Sequence, residues 1–255
     1  MKAYALIALA LVSSMAFAPA VRCAAQSETI AAEAPTSSSA NAGDTDPVKP
    51  FAAHYEATWK GIGIGTSEIS LKKLPDSDQY LYTWTITARG IFRIAYSDDL
   101  VQKSWLTIQN GHAQPVKYRG SQGSSSVNLD FDWHTKRATG ESEKKPVDIA
   151  LKDGTQDVMS IQVEVMADLK KGDLPKTFWI IDKDQLKEFL YTQEGNARIR
   201  TDIGELDTVV VTSQRAGNNR ILRMWFAPSL GFLPVQAERS RDGKVEIAMR
   251  IKKIG

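Results

Sequence analysis

The sequence predicts a mainly β fold: a large curved antiparallel sheet, or incomplete β-barrel, with one amphipathic helix against its concave side. Three observations lead there. Runs of alternating apolar and polar residues, about a dozen of them, recur from Tyr55 almost to the C-terminus. Most are joined by short turn-forming segments such as Asn110-Gly111 and Asp242-Gly243, which is hairpin chemistry. Only one stretch, Asp153 to Asp173, has convincing helical spacing, so there is no β-α-β alternation to build a parallel sheet. A sheet of that many strands must curl, and a lone helix must bury its apolar stripe on it.

Residues 1–25 read as a secretory signal. Lys2 supplies the positive end, Ala3 to Phe17 is apolar, and small residues follow. The apolar run is short for a membrane-crossing helix, which needs about 20 such residues. Removal is therefore expected, leaving no transmembrane helix. A cut after Ala18 would place Pro19 at the scissile bond, and cuts after Ala20 or Ala25 are the alternatives. Cys23 is the single cysteine, so no intramolecular disulfide can form. Lipid anchoring at Cys23 is disfavoured, because Ala20-Val21-Arg22 lacks the usual leucine and sets a bulky cation beside the thiol.

Residues 26–50 are rich in Ala, Ser, Thr, Pro, Gly and Asp and have almost no bulky apolar side chains. They cannot bury enough surface to offset their ordering entropy, which predicts a flexible linker. One domain is then expected over 51–255.

Its first strands carry Tyr55, Ala57 and Trp59, then Ile62 and Ile64 between Gly61, Gly63 and Gly65, then Ile69 and Leu71. The glycines do not have dinucleotide-loop spacing and no helix follows them, so they mark a bulge or a bend where strands approach closely. Tyr80, Tyr82, Trp84, Ile86 and Ala88 share one parity and Thr83, Thr85 and Thr87 the other, giving one buried face and one hydroxyl-bearing face. Further strands are expected at 101–108, 116–120 and 127–133, with turns at Asn110-Gly111 and over 120–126. The helix, expected from Thr155 to Lys170, places Val158, Ile161, Val165 and Leu169 on one side and Gln162, Glu164 and Asp168 on the other. Asp153 with Gln156 has capping-box spacing, and Lys170, Lys171 and Gly172 form the stop. Strands follow at 177–182, 188–194, 198–203, 208–215, 220–227, 232–239 and 245–251, with turn chemistry at Glu194-Gly195-Asn196 and Ala216 to Asn219.

Charge excludes one class of partner. The chain has 32 basic and 30 acidic residues, and loss of Lys2 and Arg22 with the signal leaves it formally neutral. No basic footprint for nucleic acid remains.

Several short motifs carry a family resemblance: Asp157-Val158-Met159-Ser160, Phe189 to Thr192 with Glu194-Gly195, Ile203 to Thr208, Met224 to Ala227, and Gly231 to Val235. Together with the Tyr55 strand and its glycines, these resemble the exported bacterial family catalogued as domain of unknown function 3108. The resemblance implies a periplasmic, mostly β domain and carries over no catalytic or binding residues.

Catalytic and metal-binding constellations are not apparent. His54, His112 and His134 lack metal-ligand spacing and read as surface or turn residues; no G-x-S-x-G elbow is present. Asp130 and Asp132 share a strand face that either meets a cation or simply faces water. No cofactor is expected. Asp157 and Ser160, at the N-terminus of the helix, are candidates to bind an anionic head group; alternatively they stabilise the helix end. Among the tryptophans, Trp84 and Trp225 are candidate linings of an interior cavity. The expected function is binding or shielding of a lipid or lipidated segment in the curved β domain. The alternative is a cell-envelope interaction module with a solid core and a protein partner. An enzyme ranks third, and would require a cleft joining Asp157, Ser160 and a histidine.

Overall fold

The computed structural model describes residues 48–255. The expected signal over 1–25, Cys23, and the expected linker up to residue 47 lie outside the described residues; Val48, the next position, is buried in the core.

Fifteen strands among the described residues form one sheet: β1 (Phe51–Trp59), β2 (Ile62–Lys73), β3 (Gln79–Ala88), β4 (Leu100–Gln109), β5 (His112–Gln122), β6 (Ser125–Asp132), β7 (Arg137–Ser142), β8 (Lys145–Ala150), β9 (Gln156–Asp157), β10 (Thr177–Asp182), β11 (Gln185–Thr201), β12 (Gly204–Arg215), β13 (Arg220–Ala227), β14 (Leu233–Arg241) and β15 (Lys244–Ile254). The order β8-β7-β6-β5-β4-β3-β2-β1-β15-β14-β13-β12-β11-β10-β9 makes two meanders joined where β1 pairs with β15. All pairings are antiparallel except the short one between β9 and β10.

The curl follows from chain connectivity. β8 and β9 are the two opposite edges, yet only residues 151–155 separate them in sequence. Five residues reach about 20 Å at most, whereas fifteen flat strands at about 4.8 Å spacing would be more than about 60 Å across. The sheet must close most of the way upon itself. Its interior is a single core that includes Tyr82, Leu106, Leu129, Phe226, Leu233 and Ile251. Tyr80, Tyr82, Trp84, Ile86 and Ala88 all point inward, as their parity predicts. The other five tryptophans are only half-buried. Three of these rings are covered by lysines, Trp59 by Lys60, Trp105 by Lys117 and Trp179 by Lys152, so apolar indole is shielded by charged stems.

Four expectations are corrected. A second helix, α1 (Ile91–Ala95), precedes β4. The long helix, α2 (Ser160–Lys171), starts five residues later than its spacing suggested. The Asp153–Gln156 box does not form, because Gln156 and Asp157 pair with β10 as the edge strand β9. The helix end is as read: Gly172 is left-handed at φ 78°, and Asp173 N–H donates to Asp168 C=O. Third, 188–194 and 198–203 are one strand, β11; Glu194-Gly195 is a bulge in its pairing with β12, not a turn. Finally, the hairpin β7–β8 lacks clear apolar alternation because it is the sheet's exposed edge.

Candidate functional site

α2 lies in the interior against β4, β5 and β9. Almost all of it is buried, including the polar Ser160, Glu164 and Asp168. The face expected to meet water therefore meets protein, and those polar groups need partners there.

The first group fixes the start of α2. Asp157 Oδ1 accepts from the backbone N–H groups of Met159 (2.7 Å) and Ser160 (2.8 Å), while Ser160 Oγ accepts from Asp157 N–H at 2.9 Å. This reciprocal arrangement occupies the first-turn donors with the chain's own carboxylate. Ser104 of β4 donates to Asp157 Oδ2 at 2.6 Å, which ties the helix start to the wall of the sheet. Burial raises the Asp157 pKa to about 6, against the opposing pull of these hydrogen bonds. Among the described residues, Asp157 and Ser160 bond Ser104, the Met159 N–H and each other, and no histidine.

The second group closes a sheet edge. β5 pairs with β6 only from Lys117 onward, so residues 112–116 have no strand beside them on that side. Side chains replace it. Gln156 Nε2 donates to Ala113 C=O at 2.8 Å, Glu164 Oε2 accepts from Ala113 N–H at 2.5 Å, and Trp133 Nε1 donates to Pro115 C=O at 2.7 Å.

Glu164 also brings a third group together. Its Oε1 lies 2.8 Å from His112 Nδ1, and Asp168 Oδ1 is 3.9 Å from the same nitrogen. Lys171 Nζ is 3.1 Å from His112 Nε2. Burial, then the Glu164 carboxylate, push the Asp168 pKa up to about 7, while Lys171 and His112 pull it down. His112 is thus part of a cluster, unlike the isolated residue its spacing suggested. Asp130 pairs with Arg119, and Asp132 caps the turn at His134 and Thr135, so these two acids serve separate neighbours.

Between the start of α2 and the sheet lies a largely apolar cavity of about 50 Å³. Val158 and Met159 bound one side; Tyr55, Ile69, Tyr82 and Trp84 come from β1 to β3, and Leu222, Met224, Ile247 and Met249 from β13 and β15. The polar groups at its boundary are Gln162, Gln236 and Arg239. Trp84 Nε1 and Tyr55 Oη already donate, to Ser67 Oγ at 2.5 Å and Pro234 C=O at 2.8 Å. Gln162 Nε2 is buried with no hydrogen-bond partner. Of the four residues singled out from sequence, Trp84 lines the cavity. Asp157 and Ser160 flank the lining pair Val158 and Met159, and Trp225, of opposite parity to Leu222 and Met224, is half-buried and not in the lining. Sequence reasoning missed Gln162 and the His112 cluster. The i,i+4 spacing of Glu164 and Asp168 was visible, but nothing local placed β5 over that side of α2.

No helix of the described residues is long and apolar enough to cross a membrane. No curated protein matches the chain. Among solved structures, MucB in complex with MucA(peri) is similar at 11% identity over 83% of this chain, with a TM-score of 0.32. The chain spans 51% of that MucB chain, about half its length. A putative exported protein with YmcC-like fold from Bacteroides fragilis is similar at 9% identity over 82% of this chain and 97% of its own, with a TM-score of 0.35. In sequence, residues 54–250 match DUF3108, a protein family of unknown function, and the chain belongs to that family.

Proposed function

We propose that this chain is an exported, non-enzymatic β domain that takes the apolar end of a lipid or lipidated segment into the cavity beside α2. Export rests on the N-terminal sequence. The observation that carries the ligand reading is the cavity itself: an apolar space with one unpaired buried donor, Gln162 Nε2, at its boundary. Such a site suits hydrocarbon that carries an acceptor such as an ester carbonyl. Its volume of about 50 Å³ admits a short apolar end and not a whole lipid. Met159, Met224 and Met249 give the wall adaptable, unbranched side chains that can reshape around a longer chain. The test is native mass spectrometry of the full chain purified without detergent, before and after solvent extraction, with a fatty-acid titration of the extracted protein. A stoichiometric apolar mass, or saturable uptake weakened in Gln162→Leu and blocked in Met224→Trp, supports the reading. A bare chain without uptake overturns it.

A second reading, a protein-interaction module, is favoured by a different feature. Ile62, Ile91 and Ile94 are 58%, 76% and 87% exposed. They cluster at one tip, because Trp59, paired with Ile62, meets the Phe92 ring edge-on. An exposed apolar tip of this kind marks contact surfaces. Under this reading Ile91→Ser with Ile94→Ser abolishes partner binding and leaves fatty-acid uptake unchanged.

A further inference from the structure

We infer that His112, Glu164 and Asp168 form a site for a borderline divalent cation, zinc or a chemically similar ion, where α2 packs on β5. This is independent of the cavity.

Each of the three residues offers one ligand atom, and the three atoms lie within 4.8 Å of one another. Two of them stand one helical turn apart on α2; the third begins β5 directly after the Asn110-Gly111 turn. The separations from His112 Nδ1 are 2.8 Å to Glu164 and 3.9 Å to Asp168. A tetrahedral ion with bonds of about 2.0–2.1 Å needs its ligands about 3.4 Å apart, so the two separations from His112 change by only about half an ångström, and Glu164 and Asp168, within 4.8 Å, draw together by rotation of their side chains. One imidazole nitrogen and two carboxylate oxygens form the donor set of zinc and related ions; calcium prefers six to eight oxygens. His112 is 60% exposed at its side chain, which leaves an entry path and room for a water as fourth ligand. Glu164 is pre-oriented, since its second oxygen is held by the Ala113 N–H.

Asp168 points to a ligand independently of this geometry. It is 1% exposed, and its Oδ2 is buried with no hydrogen-bond partner. Its nearest cation, Lys171 Nζ, is 3.9 Å from Oδ1, beyond hydrogen-bond distance, and is instead 3.1 Å from His112 Nε2. Two buried carboxylates thus share one ammonium that is not seated on Asp168. A dication held by His112 Nδ1, Glu164 Oε1 and the Asp168 carboxylate gives Oδ2 the partner it lacks and supplies the missing charge. The imidazole proton then resides on Nε2, which releases Lys171 toward solvent, where its side chain is already 33% exposed.

The test uses the full chain stripped with a chelator, titrated with zinc by calorimetry and with cobalt(II) by visible absorption. One ion per chain is expected, with ligand-field bands from cobalt and affinity reduced about tenfold or more in both His112→Ala and Asp168→Asn. Both positions tolerate these changes in folding, because His112 is exposed and Asp168→Asn is isosteric. Lys171→Met removes the competing ammonium and is expected to bind at least as tightly as the parent. Absence of stoichiometric uptake, uptake unchanged in both ligand variants, or loss of binding in Lys171→Met overturns the assignment.

Discussion

Asp157→Asn tests the central claim about how α2 is fixed. The wild-type carboxyl is fully buried, and its pKa is raised from 3.8 to about 6 chiefly by loss of solvent. Between those values the folded state holds a proton that the unfolded state has released. The associated stability is fully present below about pH 4 and is lost as pH rises through about 6. At about 1.4 kcal/mol per tenfold, the full change is about 3 kcal/mol. Asn keeps an oxygen to accept from Met159 and Ser160 N–H but carries no charge. Urea denaturation of both proteins from pH 4 to pH 8 gives the difference in unfolding free energy at each pH. Contributions from other carboxylates, including Asp168, largely cancel in that difference. Asn is expected to gain about 3 kcal/mol relative to Asp across the series, most of it between about pH 4 and 6. Parallel profiles would show that Asp157 is not perturbed. A difference of opposite sign would show that the hydrogen bonds from Ser104, Met159 and Ser160 outweigh burial, and the account of this junction would fail.

Two further predictions concern the scaffold. Lys187 Nζ lies 2.5 Å from Asp182 Oδ2, with both side chains buried; Lys187→Met is expected to lower stability by about 3–5 kcal/mol in chemical denaturation, and Lys187→Met with Asp182→Leu to recover most of it. A lasting deficit of the single variant in the double variant would contradict the ion-pair explanation. The glycines after β1 should separate by role in thermal melts. A Cβ on Gly65 would sit 2.3 Å from Thr87 C=O, so Gly65→Ala destabilises strongly; Gly61→Ala, with φ 82° and open space, loses about 1 kcal/mol; Gly63→Ala, whose Cβ meets only Glu56 Oε1 at 3.8 Å, is tolerated. Equal effects at all three positions would refute the close approach of β2 to β3.

Local sequence pattern was sufficient for the fold class. Period-two alternation in β3 placed Tyr80 through Ala88 on the buried face, and Asn110-Gly111 and Asp242-Gly243 marked hairpin turns, because side-chain parity and turn stereochemistry depend on near neighbours. The left-handed stop at Gly172 was legible for the same reason, whereas β7, β8 and β9 were not and two expected strands are the single strand β11. What local pattern cannot report is which polar groups meet across the closed sheet. Gln156 reads as a capping residue and Glu164 and Asp168 look solvent-facing in sequence, yet the edge of β5 left bare beyond β6 draws Gln156 and Glu164 inward as hydrogen-bond partners and brings His112 to Asp168. The same closure sets Val158 and Met159 opposite Met224 and Met249, leaving space between them that no single strand reveals. Fold class follows from short-range rules; the cavity and the His112 cluster exist only because the curled sheet brings α2 and β9 onto β5 and its two meanders around the start of α2, contacts decided by the packing of the whole chain.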